Sequence, residues 1–308
     1  MKSSILFTTR TSTPAAGARV YAVDSMRGLA MILMTLANIP VQSGNLLLVT
    51  QWITYCAGPA FVFLAGVSAW LIQGRRPVRE TALFLLKRGC LLFALQLAVF
   101  PFGGYVVLPA IGLSMFVLAG LLYLPYSVVL CFGMAVVLGA GLLPREAITE
   151  SVYPMLPWPG LMALGFCFGT LYTSGLARVL RLALIVIPGC CCCWLFVILG
   201  RFSGYGMPIP WLLSLLGSLA FVLMLLAFFE SGIGRVLAPL TVFGRVPLFY
   251  YLLHLYMIHA LLFFGWAVGG TGEFLETGGL VVVISFPLCR WYGRYKQRHP
   301  DQWWWSYL

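Results

Sequence analysis

His254 and His259 stand in an apolar stretch, Val246 to Val268 (VPLFYYLLHLYMIHALLFFGWAV), that holds two of the chain's three histidines. A stretch of about 20 apolar residues can cross a bilayer, and an ionisable side chain inside one is costly because hydrocarbon offers it no partner. Imidazole titrates nearest to neutral pH, so the chemistry it suits is general acid–base catalysis. The plainer reading is that each ring only hydrogen-bonds a neighbouring helix. The two rings are five residues apart, which is roughly 140° around a helix of 3.6 residues per turn. They do not grip one metal ion as an i, i+4 pair does. One can act as base while the other orients a substrate or lies on a second face.

Amides and a phenol join this list. Counted from the basic end of each helix at about 1.5 Å per residue, Asn38 lies about 15 Å in, Gln96 about 12 Å, His254 about 13 Å and His259 about 21 Å. Groups on three sequence-distant segments thus share one depth and are expected to turn inward onto a cavity, although Asn and Gln also join helices simply by bonding across them. Asn38 would orient an acceptor or steady an oxyanion. Gln96 and Tyr55 are expected to contact substrate.

At the basic rim, Asp24 and Arg27 stand three apart where the first helix begins, which is also the spacing of a local ion pair near a helix N-terminus. Lys87, Arg88 and Arg245 fall at the same level. Cations gathered at one membrane face could hold the phosphates of a nucleotide-like cofactor, with Arg27, Arg88 and Arg245 as the expected binding set. Topology signals and lipid headgroup contacts account for the same residues equally well. Metal is not expected. The nine cysteines all lie within or beside apolar runs, and the consecutive Cys190 to Cys193 point in different directions around a helix, so they read as soft packing residues.

The elements that must position these groups follow from composition. Hydrophobic residues make up 61% of the 308 and charged residues 9%, whereas a soluble domain carries about 25% charged. An all-α integral membrane protein is expected, and the 15% aromatic content suits interfacial belts. The net charge of +11 does not indicate nucleic acid, because the cations sit between apolar runs and form no patch on a foldable soluble domain. Ten spans are predicted, at about 26–42, 50–73, 83–100, 106–123, 127–143, 157–174, 180–199, 211–229, 246–268 and 278–292. With both termini in the cytoplasm, 17 of the 19 Lys and Arg residues fall inside, leaving Arg145 and Arg201 outside with Glu146, Glu150, Glu273 and Glu276. Residues 1–20 are polar and read as a cytoplasmic tail, not a signal peptide. Residues 21–295 form a single transmembrane domain, and 296–308 a second cytoplasmic tail.

Five segments resemble the heparan-alpha-glucosaminide N-acetyltransferase catalytic-domain family: RVYAVDSMRGLAMILM (19–34), WITYCAGPAFVFLAGVSAWL (52–71), LPWPGLMALGFCFG (156–169), VFGRVPLFYYLLHLYMIH (242–259) and LCRWYGRYKQRHPDQWWWSYL (288–308). The likeness keeps its order from Arg19 to the C-terminus. It implies a bundle of ten or eleven helices, a bacterial location in the cytoplasmic (inner) membrane, and acyl transfer from acyl-CoA, most simply acetyl-CoA, to an amine or hydroxyl, usually on a sugar. His254 matches a family histidine and His259 the bacterial pattern. Elsewhere the chain departs: Ala37-Asn38 stands where many bacterial members have Asp-His, Tyr55 where relatives often have His, and Gln96 where a Glu is common. Ile209-Pro210-Trp211-Leu212 replaces a Lys-Tyr-Pro-Pro-Ser element.

Two functions of different classes follow. One is a membrane acyltransferase with His254 or His259 as base, Asn38 at the reacting group and the arginines on acyl-CoA. The other is a catalytically degenerate member that carries or binds a lipid, sugar or small solute in the same cavity. Membrane lipids, acyl-CoA and a sugar or glycan acceptor are the expected partners, and nucleic acid is not among them.

The topology has a direct consequence. On a background with the native cysteines replaced, a cysteine in the Gly270–Gly278 connection is expected to react with an impermeant thiol reagent added to intact cells, and one at Gln297 is not. Labelling at Gln297 would overturn the ten-span arrangement.

Overall fold

A computed structural model describes residues 21–41, 45–99, 107–142, 157–173, 239–266 and 268–299. Among these residues all regular structure is helical: α1 (Tyr21–Asn38), α2 (Asn45–Gln73), α3 (Val78–Val99), α4 (Val107–Leu121), α5 (Tyr126–Leu142), α6 (Trp158–Thr173), α7 (Leu240–Arg245), α8 (Pro247–Phe263) and α9 (Thr271–Arg298). The spans expected at 180–199 and 211–229, with Cys190 to Cys193, lie outside the described residues, as do the tail at 1–20 and residues 300–308. The count of ten spans and the placement of the termini therefore stay expectations from sequence. Among the described residues α9 is long and apolar enough to cross a membrane, and shorter apolar stretches cover 57–73, 107–121, 126–139 and 247–263.

Two boundaries differ from the reading of the sequence. The span expected at 246–268 ends early, at Phe263, while its start agrees within one residue: Val246, whose backbone has φ −132° and ψ 51°, leaves the helix just before Pro247. The cause is Pro247, which lacks an N–H and disfavours helical geometry in the residue before it. Arg245 thus ends the short α7, and Pro247 opens α8. The second difference is at α9, which begins at Thr271 rather than near 278 and continues to Arg298. The Glu273 carboxylate accepts the Gly269 and Gly270 backbone N–H groups at 2.7 and 2.6 Å, tying off the helix start. The Gly270–Gly278 segment is therefore mostly helical, and the turn before it is closed by Gly265 at φ 84°. There the Trp266 N–H reaches the Leu261 carbonyl and the Gly265 N–H reaches that of Leu262, each at 3.0 Å.

Glycines set the helix contacts. In lipid, apolar side chains gain little by meeting one another, so association relies on close packing and small residues let backbones approach. A Cβ on Gly66 of α2 would overlap the Met162 carbonyl of α6, and one on Gly165 of α6 would overlap the Phe63 carbonyl of α2. The α3–α4 contact uses Gly89 and Gly112, and the α5–α6 contact Gly133 and Gly160. The same reciprocal arrangement joins α1 to α7, with Gly28 against the Leu240 carbonyl and Gly244 against that of Asp24. α1 packs on α2, α7, α8 and α9, which makes it the central element of the described bundle. Met26, Met31 and Thr35 are accordingly buried along its length.

These contacts predict opposite outcomes for one substitution. Gly165→Ala is expected to lower thermal stability in detergent by about 1–3 kcal/mol or more through overpacking. Gly120→Ala, at a position with nothing within 4 Å, is expected to be neutral or to stabilise by up to about 1 kcal/mol.

Candidate functional site

The Gly28–Gly244 contact places two helices side by side at their basic ends. From there α1 climbs ten residues to Asn38, and the chain through α7 and α8 climbs ten to His254. At about 1.5 Å per residue both rise about 15 Å, and the two side chains meet. Asn38 Nδ2 lies 3.0 Å from His254 Nε2. The other ring nitrogen, Nδ1, lies 3.0 Å from the Tyr250 carbonyl oxygen. A carbonyl can only accept, so Nδ1 carries the proton and donates it, and Nε2 is left with a lone pair that accepts from the Asn38 amide. His254 is fully buried (0% exposed) and Asn38 nearly so at 8%.

One turn toward the basic end a second rung repeats the pattern. The Thr35 hydroxyl donates to the Met31 carbonyl at 3.2 Å, so the Tyr250 hydroxyl, 2.7 Å away, donates to Thr35 Oγ1. The Tyr250 ring stacks on the His254 ring with centroids 5.5 Å apart, and Tyr251 meets its edge at 5.4 Å. The imidazole is thus fixed by two hydrogen bonds and two aromatic rings.

At the base of α1, one carboxylate serves two guanidiniums. Asp24 Oδ1 lies 3.5 Å from Arg27 Nη1, and Oδ2 lies 3.9 Å from Arg245 Nε, within ion-pair range but beyond a hydrogen bond. Arg27 Nη2 also donates to Ser68 Oγ of α2. Arg88 is apart from this cluster. Its Nε is buried without a hydrogen-bond partner among the described residues, and its side chain is the one charged group lining a small apolar pocket, with a cavity volume of about 30 Å³, between α1, α2, α3, α4 and α8. Met31, Met34, Leu92, Ile111 and Tyr251 supply other walls. Tyr251 therefore touches both the pocket and the His254 ring.

The residues singled out from sequence divide into three groups. Asn38 and His254 are brought into direct contact, and Arg27 and Arg245 converge on Asp24. His259 and Gln96 stand differently: His259 Nδ1 donates to the Leu255 carbonyl of its own helix at 2.9 Å, and Gln96 Oε1 is buried without a hydrogen-bond partner among the described residues. Tyr55 lies on α2, but its side chain is outside the described set. Thr35, Tyr250, Tyr251 and Ser68 were not anticipated. Thr35 precedes Asn38 by three and Tyr250 precedes His254 by four, the spacings of a shared helix face, so that signal was present in the sequence. Ser68 had no such signal, since its partner is 41 residues away.

The Asn38–His254 bond can be measured. A double-mutant cycle of Asn38→Leu and His254→Phe, followed by unfolding in mixed detergent, is expected to give a coupling on the order of 1 kcal/mol. Additive effects would show that the contact contributes nothing to stability.

Residues 19–203, more than half of the chain, match the family model described as heparan-alpha-glucosaminide N-acetyltransferase, catalytic. No curated protein matches the chain.

Proposed function

Because the chain belongs to the heparan-alpha-glucosaminide N-acetyltransferase catalytic family, we propose that it is an integral membrane acyltransferase that uses a cytoplasmic acyl-CoA, acetyl-CoA in the simplest case. The acceptor class is an amine or hydroxyl, a sugar in keeping with the family description. The observation that carries this reading is the fixed His254 ring. Its one basic nitrogen, Nε2, is held toward Asn38, a single ring away from the pocket that Arg88 lines.

The chemistry assigned to these residues balances as follows. Asn38 turns off Nε2 and donates its amide N–H to the thioester carbonyl oxygen, where negative charge develops. His254 Nε2 takes the proton from the acceptor amine or hydroxyl as its N or O bonds to the acyl carbon. The C–S bond then breaks, and the proton passes from His254 to the departing thiolate, which restores the neutral ring. Arg88 suits an anionic group because nothing among the described residues satisfies its Nε. Asp24 already occupies Arg27 and Arg245, so their part in binding is secondary to holding α1, α2 and α7 together.

A second reading has its own observation: His254 is sealed, and it does not itself line the pocket. In a carrier of a lipid, sugar or small solute, the Asn38–His254 pair would serve as a structural or proton-sensitive gate. One experiment separates the readings. With purified protein and acyl-CoA, His254→Ala is expected to abolish acyl transfer and thioester hydrolysis while the unfolding temperature stays within a few degrees of wild type, and His259→Ala to weaken turnover only. Arg88→Gln is expected to weaken acyl-CoA binding more than tenfold, about 1.4 kcal/mol. Absence of turnover from the wild type would favour the carrier, whereas turnover that survives in His254→Ala would remove His254 as the base.

A further inference from the structure

We propose that α9 carries a binding site for an anionic glycerophospholipid, with the phosphate held by Arg290, Arg294 and Arg298 and an acyl chain laid along the apolar face before them. The three arginines recur every four residues, so they form one stripe with successive guanidiniums about 6 Å apart along the axis. All three are exposed. Together with Pro287, Trp291 and Tyr295 they line one hollow. No ion pair among the described residues engages them.

The stripe does not begin with the arginines. Leu280, Val283, Ile284 and Leu288 are exposed on the same side of α9, while Val281, Ser285, Cys289 and Tyr292 face the bundle. At about 100° per residue the exposed set and the arginines fall on one half of the helix. Along that half, the surface is apolar for about 12 Å and then cationic for about 12 Å. Trp291 lies at the start of the cationic part, between Arg290 and Arg294 in sequence, 61% exposed, with its ring stacked on Tyr295 at 5.8 Å. Aromatic residues at such a junction mark the headgroup level of a bilayer. A small anion would use only the cationic half, and a neutral lipid only the apolar half. A lipid with net negative charge uses both, and its phosphate takes bidentate bonds from guanidinium. This site is separate from the Asn38–His254 pair and does not rest on the acyltransferase reading.

The test uses the full chain, delipidated in neutral detergent, with phosphatidylglycerol, phosphatidylcholine or inorganic phosphate added, and follows binding by thermal shift and native mass spectrometry. Phosphatidylglycerol is expected to bind and stabilise, with the effect falling steeply between low and high salt. Phosphatidylcholine and phosphate are expected to do neither. The triple substitution Arg290→Gln, Arg294→Gln, Arg298→Gln is expected to weaken phosphatidylglycerol on the order of 100-fold, and the corresponding triple Lys variant to retain most of the binding. Equal binding of phosphatidylcholine, equal stabilisation by phosphate alone, or unchanged affinity in the triple Gln variant would each overturn the proposal. If the triple Gln variant does not fold, the salt dependence of wild-type binding decides, and a salt-independent response overturns it.

Discussion

The backbone contact between Gly28 and Gly244 is the constraint on which the site depends. Neither position has room for a single methyl group, because each Cβ would overlap a carbonyl of the other helix. Two backbones pressed together this closely cannot slide past each other without a clash, so the register between α1 and the α7–α8 segment is determined at that point. Ten residues further along each chain, Asn38 meets His254, and one turn lower Thr35 meets Tyr250. A shift of one residue would move the partners about 1.5 Å apart in height and turn each by about 100°, breaking both rungs and leaving an amide and an imidazole unsatisfied in an apolar interior. The glycine contact and the polar rungs thus support one another.

That dependence explains why the charges at the base of α1 are arranged as they are. The Gly28–Gly244 contact brings Arg245 beside Asp24, and the same carboxylate already faces Arg27 from three residues away. One acid between two cations leaves the cluster with net positive charge, yet with both guanidiniums partly compensated. Arg27 also reaches Ser68, so the cluster joins α1, α2 and α7. Arg88, which has no such compensation, lies at the pocket instead. Of three arginines that look equivalent along the chain, two share Asp24 and the third lines the pocket.

The aromatic surroundings of His254 matter for its chemistry. Tyr250 and Tyr251 confine the ring while the Tyr250 carbonyl selects its tautomer. The ring therefore presents one lone pair in one direction, without the entropy of a freely rotating side chain. Asn38 occupies that direction. An amide can both donate to Nε2 and, once turned, donate to an oxyanion, so the partner that satisfies the ring also suits a reacting carbonyl.

How much of this was legible along the chain follows from which quantities are local. The all-helical class, the basic and polar ends of the segments, and the shared depth of Asn38 and His254 were determined by the sequence itself, since apolar content and rise per residue need no knowledge of neighbours. Thr35 and Tyr250 could have been read from the same spacing. The helix start at Pro247 was also legible, since proline suits the first helical position. Tertiary structure alone decided the rest. It chose which helix lies against α1, so that His254 rather than Gln96 is the partner of Asn38, and it turned His259 to its own backbone. It paired Asp24 with two arginines and placed Arg88 at the pocket, its Nε without a hydrogen-bond partner among the described residues. Height along a helix follows from counting residues, but direction around it acquires meaning only when glycines such as Gly28 and Gly244 bring two particular backbones into contact.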